Sequence, residues 1–206
     1  MKEAPVLTVS VAVEGRLDMA VMCRVLAEAG CQPGTIYGLK GKAFLRERLA
    51  GYNRAAERWP WCILVDLDHA DCAPRLIAEW LPQPAALMCF RVAVREVESW
   101  LMADAEQLSL FLGVSARDIP SDTESLADPK EAMVSLARRS DRREIREAMV
   151  PRPASGRGIG PAYALRLSEF TQTMWRPRVA AEACRSVSKC MNRIEEMCQR
   201  LSRQVG

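Results

Sequence analysis

Acidic residues in this chain stand where apolar runs end. Glu14 follows residues 6–13 (VLTVSVAV), Asp66 and Asp68 follow 61–65 (WCILV), and Glu96 and Glu98 follow 86–94 (ALMCFRVAV). Carboxylates gathered at one edge repel one another unless a cation neutralises them. Hard oxygen ligands without histidine or thiolate suit Mg2+ or Mn2+. Asp66 and Asp68, two apart on an extended loop, can point the same way. The competing reading is that these acids cap helices and stay solvated. For Asp71 that reading is preferred, because it precedes a helical run as an N-cap does. The single histidine, His69, excludes a histidine-rich zinc site, and a serine triad would have to use it.

These acids need a scaffold that brings strand ends together. Residues 6–13, 34–39, 61–65 and 86–94 read as strands, and the first is apolar on both faces, as in a parallel sheet. Between them, 17–29, 42–58 and 72–81 have helical spacing, with Pro74 tolerated in a first turn. Alternating strands and helices predict an α/β fold with a mostly parallel sheet of about four strands flanked by helices. Open sheets of this kind bind ligands at the carboxyl ends of their strands. After residue 96 the pattern turns helical, over 97–113, 129–139, 141–149, 163–175 and 178–203. Residues 151–161 (PRPASGRGIGP) form a Pro/Gly loop, the best hinge. The expected division is an α/β core over 1–104 and a helical extension packed on it over 105–206.

The chain has 206 residues, 49% apolar and 27% charged, an ordinary globular mixture. No run approaches the roughly 18 apolar residues of a membrane span. Residues 1–15 lack the length and cleavage site of a secretory leader, so a soluble cytoplasmic protein is expected. Eight cysteines contain no C-x-x-C pair and are expected to be reduced packing residues. Residues 1–60 carry nine basic and six acidic side chains, 61–140 seven and thirteen, and 141–206 thirteen and seven. An acidic middle beside a basic tail suits a metal site next to an anion-binding surface, although solvated helix faces give the same pattern. Lys40 and Lys42 flank Gly41 ahead of a helix, where an anion could bind. The G-x-x-x-x-G-K-[ST] pattern is absent, which excludes ATP hydrolysis by a P-loop.

The segments VAVEGRLD (11–18) and ILVDLD (63–68) resemble the TOPRIM domain of topoisomerases, bacterial primases, ribosomal-RNA maturases and overcoming-lysogenisation-type nucleases. The resemblance covers residues 6 to about 104. It implies that Glu14, Asp66 and Asp68 bind Mg2+ or Mn2+ and cut or join phosphodiesters. The nuclease branch adds an acid four positions after the glutamate, matched by Asp18, and a glutamate after the next strand, for which Glu98 is the choice. It also implies a late catalytic lysine, either Lys130 or Lys42. Over nearly the whole chain, 98–104 (ESWLMAD), 128–130 (DPK), Pro151 and Trp175 are similar to a narrower TOPRIM-like family often encoded beside ABC-type ATPases in bacterial defence loci.

The expected function is therefore Mg2+/Mn2+-dependent nucleic-acid hydrolysis in phage defence, with the basic tail tracking the backbone and oligomer formation compatible with it. The alternative is a catalytically silent or regulatory partner of a separate ABC-type ATPase. A haloacid-dehalogenase-type phosphatase ranks last. Its D-x-D motif is normally followed two positions on by a threonine, where this chain has Ala70, and it normally follows the first strand. Trp100 and Leu101 are expected in the core. Asp104 and Asp128 are expected to cap helices or support the site, and Arg95 to lie on the surface or hold a phosphate.

Overall fold

The computed structural model describes residues 6–205, without the side chains of 202–205. Residues 1–5 of the leader reading lie outside the described residues. Four strands form one parallel sheet in the order β2-β1-β3-β4: β1 (Thr8–Val13), β2 (Gln32–Gly38), β3 (Trp61–Asp66) and β4 (Met88–Ala93). The chain moves outward from β1 to β2, then returns to place β3 on the other side of β1. Such a reversal leaves a crevice between the carboxyl ends of two neighbouring strands. Glu14 and Asp66 stand at those two ends.

Alternation along the strands divides the core in two. Val9, Val11, Val13, Cys62, Leu64 and Cys89 face one side, while Ala12, Ile63, Val65, Phe90 and Val92 face the other. Helices α2 (Lys42–Ala55) and α3 (Ala73–Trp80) cover the second face through Leu45, Leu49 and Leu76. The first face is covered by α1 (Arg16–Glu28) together with the later helices. These are α4 (Val97–Met102), α5 (Ala105–Leu112), α6 (Pro129–Arg138), α7 (Arg143–Met149), α8 (Tyr163–Thr173), α9 (Pro177–Ala183) and α10 (Arg185–Val205). One continuous apolar cluster runs from Val9 through Trp100 and Trp175 to Met197, so the helical half and the sheet share their interior. Trp100 and Leu101 are fully buried, as expected.

Two expected helices are broken. The run over 97–113 divides at Ala103, because Asp104 caps α5 by accepting from the Gln107 amide. The run over 178–203 divides at Cys184, where the Glu124 carboxylate accepts from the Arg185 and Ser186 amides at 3.2 and 3.0 Å. Cys72, not Asp71, is the N-cap residue of α3, and Asp71 pairs with Arg75 one turn on. Cys31 and Cys198 are joined as a disulfide where the start of β2 meets α10, which corrects the expectation of eight reduced cysteines. Cys62, Cys89, Cys184 and Cys190 are free and buried. Among the described residues no helix is long and apolar enough to cross a membrane.

Candidate functional site

The site begins with the turn after β1. Gly38 holds φ +88°, and a Cβ there would lie 2.2 Å from the Val13 carbonyl oxygen, so only glycine lets β2 end against β1. The following loop then clamps the Glu14 backbone: the Leu39 amide donates to the Val13 carbonyl and the Gly41 amide to that of Glu14, both at 3.0 Å. Glu14 reaches across the crevice, and its Oε1 accepts from the Asp66 amide at 3.0 Å. Gly15 opens α1, and Asp18 turns back so that Oδ2 accepts from the Gly15 amide at 2.7 Å. This bond holds Asp18, which is buried, beside Glu14.

Asp66 ends β3, and its Oδ1 accepts from the Val97 amide at 3.0 Å, at the start of α4. Asp68 has φ +52°, a left-handed backbone that turns its side chain toward α2. There Lys42 Nζ donates to Asp68 Oδ2 at 2.6 Å and also to the Asp66 carbonyl. Glu98, in the first turn of α4 and 2% exposed, accepts from the Tyr163 hydroxyl at 3.1 Å. Glu96 caps the same helix and accepts from the Lys130 Nζ and amide at 2.5 and 3.0 Å. Helix α6 carries Lys130 and is itself capped by Asp128.

Five carboxyls thus lie near the carboxyl edge of the sheet, and Asp66 feels the other four. Burial, then repulsion from Asp18, Glu98, Glu14 and Asp68, holds the Asp66 carboxyl well above the aspartate range. Burial pushes Glu14 up to about 7 against the Asp66 amide and Lys42, and it raises Asp18 as well. Burial also lifts Glu98 to about 7 despite Lys130. The Lys130 ammonium is disfavoured by burial, yet Glu98 and Glu96 more than reverse this and raise it above its ordinary value. Raised carboxyls signal negative charge without enough compensation.

Each of the five accepts from a protein donor through one carboxyl oxygen. The donor set is all carboxyl oxygen, the hard chemistry that fits Mg2+ or Mn2+. The side chains are not gathered for it. Among the described residues no group of three or more His, Cys, Asp and Glu stands ready to hold a metal ion. The reason is visible in the bonds above, which draw the acids separately toward backbone amides, Lys42 and Tyr163.

Glu14, Asp18, Asp66, Asp68 and Glu98 thus share one electrostatic neighbourhood, with Lys42 on its α2 side and Lys130 on its α6 side. Asp104 and Asp128 cap helices, and Asp104 also forms a two-oxygen pair with Arg176. Tyr163 was not expected in the site, and nothing local marks it; Glu96, read with Glu98 as an acid after the fourth strand, pairs with Lys130. His69 is exposed on an open cleft with Lys42, Arg46, Arg75 and Trp80, where Lys42 and Arg46 lie over the Trp80 ring at 5.8 and 5.1 Å. No family model, curated protein or solved structure matches this chain.

Proposed function

We propose that the chain is a Mg2+- or Mn2+-dependent phosphodiesterase acting on nucleic acid, in keeping with the TOPRIM-type pattern of Glu14, Asp66 and Asp68. The observation that carries this reading is Asp66. Its carboxyl, at the crevice between β1 and β3, is buried and opposed by four others, those of Asp18, Glu98, Glu14 and Asp68. Glu14, Asp66 and Asp68 would hold one ion, with Asp18 and Glu98 supporting a second. When bound, the ions supply charge stabilisation at the phosphoryl oxygens of the attacked phosphate.

The chain's own groups supply the rest. Lys42 donates at the open side of the site, where its ammonium offsets charge developing on the phosphate.

The experiment is Mn2+ calorimetry alongside cleavage of DNA and RNA by the native chain and Asp66→Ala. Uptake and cleavage by the native chain, both lost in a folded Asp66→Ala variant and in EDTA, are expected. Equal cleavage by the variant refutes the site. Cleavage only on addition of an ATPase subunit assigns the partner-subunit reading.

A further inference from the structure

A second cleft, of about 480 Å3, opens between α3, the end of β4 and the start of α10. Four cations line it: Arg91 on β4, Arg95 on the following loop, and Arg185 and Lys189 one turn apart on α10. None of the four forms an ion pair among the described residues. The two carboxylates in the cleft are already committed: Glu124 to the Arg185 and Ser186 amides, Asp71 to Arg75. Arg91 Nε is buried and has no hydrogen-bond partner. A buried, unpartnered guanidinium donor is costly, and in this cleft no carboxylate is left to meet it. The missing partner is a group with several anionic oxygens, and guanidinium groups fit phosphate with paired donors.

The cleft adjoins the acidic site. Leu67 and Asp71 line it from the β3–α3 loop, and Arg95 Nη1 donates to the Asp68 carbonyl at 3.1 Å. An anion drawn to these cations therefore stands one loop away from Asp66 and Asp68, on the side away from Lys42. We infer that the cleft is a phosphate subsite that holds the backbone of a nucleic-acid strand beside the phosphodiester under attack. This rests on the phosphodiesterase reading for the strand's identity, but the test needs no cleavage.

The test is anisotropy of a short fluorescein-labelled single-stranded oligonucleotide with the full chain in EDTA, over a range of salt. Arg185→Glu combined with Lys189→Glu, both exposed positions, weakens binding about tenfold or more and lowers the slope of log K against log salt by about 2. Arg185→Lys with Lys189→Arg keeps both, and Arg91→Gln weakens binding in a chain whose melting curve is unchanged. Equal affinity and slope in the double glutamate variant overturn the inference. So does saturation of the cleft by inorganic phosphate, measured by calorimetry, when oligonucleotide binding ignores the pair. Binding that depends on the pair, in a chain that cleaves nothing, keeps the subsite and removes the phosphodiesterase reading. Cleavage with pair-independent binding does the reverse.

Discussion

Asp68 and Arg95 hold each other by one main-chain bond and one bond from the Arg95 guanidinium. The Asp68 amide donates to the Arg95 carbonyl at 2.8 Å, and Arg95 Nη1 returns a bond to the Asp68 carbonyl at 3.1 Å. Both have positive φ, 52° and 62°, where a side chain is strained. The loops after β3 and β4 are thus locked as a pair, and that lock presents Asp68 to Lys42. Replacing Arg95 separates the two contributions. Arg95→Ala loses the side-chain bond, worth about 1 kcal/mol, and keeps the strain. Arg95→Gly loses the same bond but relieves the strain, so it is expected to be more stable than Arg95→Ala by about 1 kcal/mol. Urea melts of the two variants check the order, and the reverse order would mean the backbone there is not held left-handed.

Glu98 makes stability depend on pH in a direction opposite to the usual carboxylate. Its folded value is about 7 against an ordinary 4.5. The folded chain therefore binds a proton that the unfolded chain has released between those values. Stability from this group is complete below about 4.5 and is lost as pH rises through about 7. The loss is on the order of 3 kcal/mol at one pKa unit per ~1.4 kcal/mol. The groups facing Glu98 are Tyr163 on α8, Lys130 on α6, Glu96 on its own helix and Asp66 on β3. Denaturant melts in EDTA from pH 5 to 8 should show the fall, and Glu98→Gln should flatten much of it. A rise in stability over that range contradicts the assignment.

Where the acids stand was legible where the local pattern carried it. Glu14, Asp66 and Asp68 each follow a buried β-branched run, so strand ends and acids are read together. That Glu14 and Asp66 are neighbours depends on strand order, which follows from packing between segments far apart in the chain. Asp18 and Glu98 lie in helices whose polar positions look solvent-facing, and only the tertiary structure buries them, at 6% and 2% exposure. The division of the last helix at Cys184 has no glycine at the break. It is made by Glu124, some sixty residues upstream, capping the new helix, and no local pattern contains that bond. Asp104 divides the other helix from within an apolar stretch that continues on both sides, so periodicity reads through it.

Asp104 tests the difference between a site residue and a girder. It is fully buried, caps α5 and accepts from Arg176 through the backbone amide and the guanidinium at 3.0, 3.0 and 2.7 Å. Asp104→Ala loses the cap, about 1 kcal/mol, and takes away the carboxylate to which the Arg176 amide and guanidinium donate. A total loss on the order of 3 kcal/mol is expected, with Mn2+ affinity of the folded fraction unchanged. Chemical melts and calorimetry on the same sample check both. A large drop in metal affinity with little loss of stability would instead assign Asp104 to the site.

Lys42 and Lys130 differ in what they are free to do. Lys130 is bonded to Glu96 through side chain and backbone, and it offsets the charge of buried Glu98 and of Asp66. Lys42 bonds Asp68 at the mouth of an open cleft, with Arg46 and Trp80 beside it. Lys130→Ala therefore leaves buried acids without their counter-charge and is expected to cost about 1 to 3 kcal/mol of stability. Lys42→Ala removes two hydrogen bonds, to Asp68 and to the Asp66 carbonyl, and is expected to cost about 1 kcal/mol of stability. It should reduce Mn2+-stimulated cleavage about 100-fold in kcat with little change in KM, because the lost charge acts on the transition state. Cleavage kinetics and melts of both variants decide the matter. A large kcat loss in Lys130→Ala at temperatures where it stays folded, with Lys42→Ala active, moves the catalytic role to Lys130.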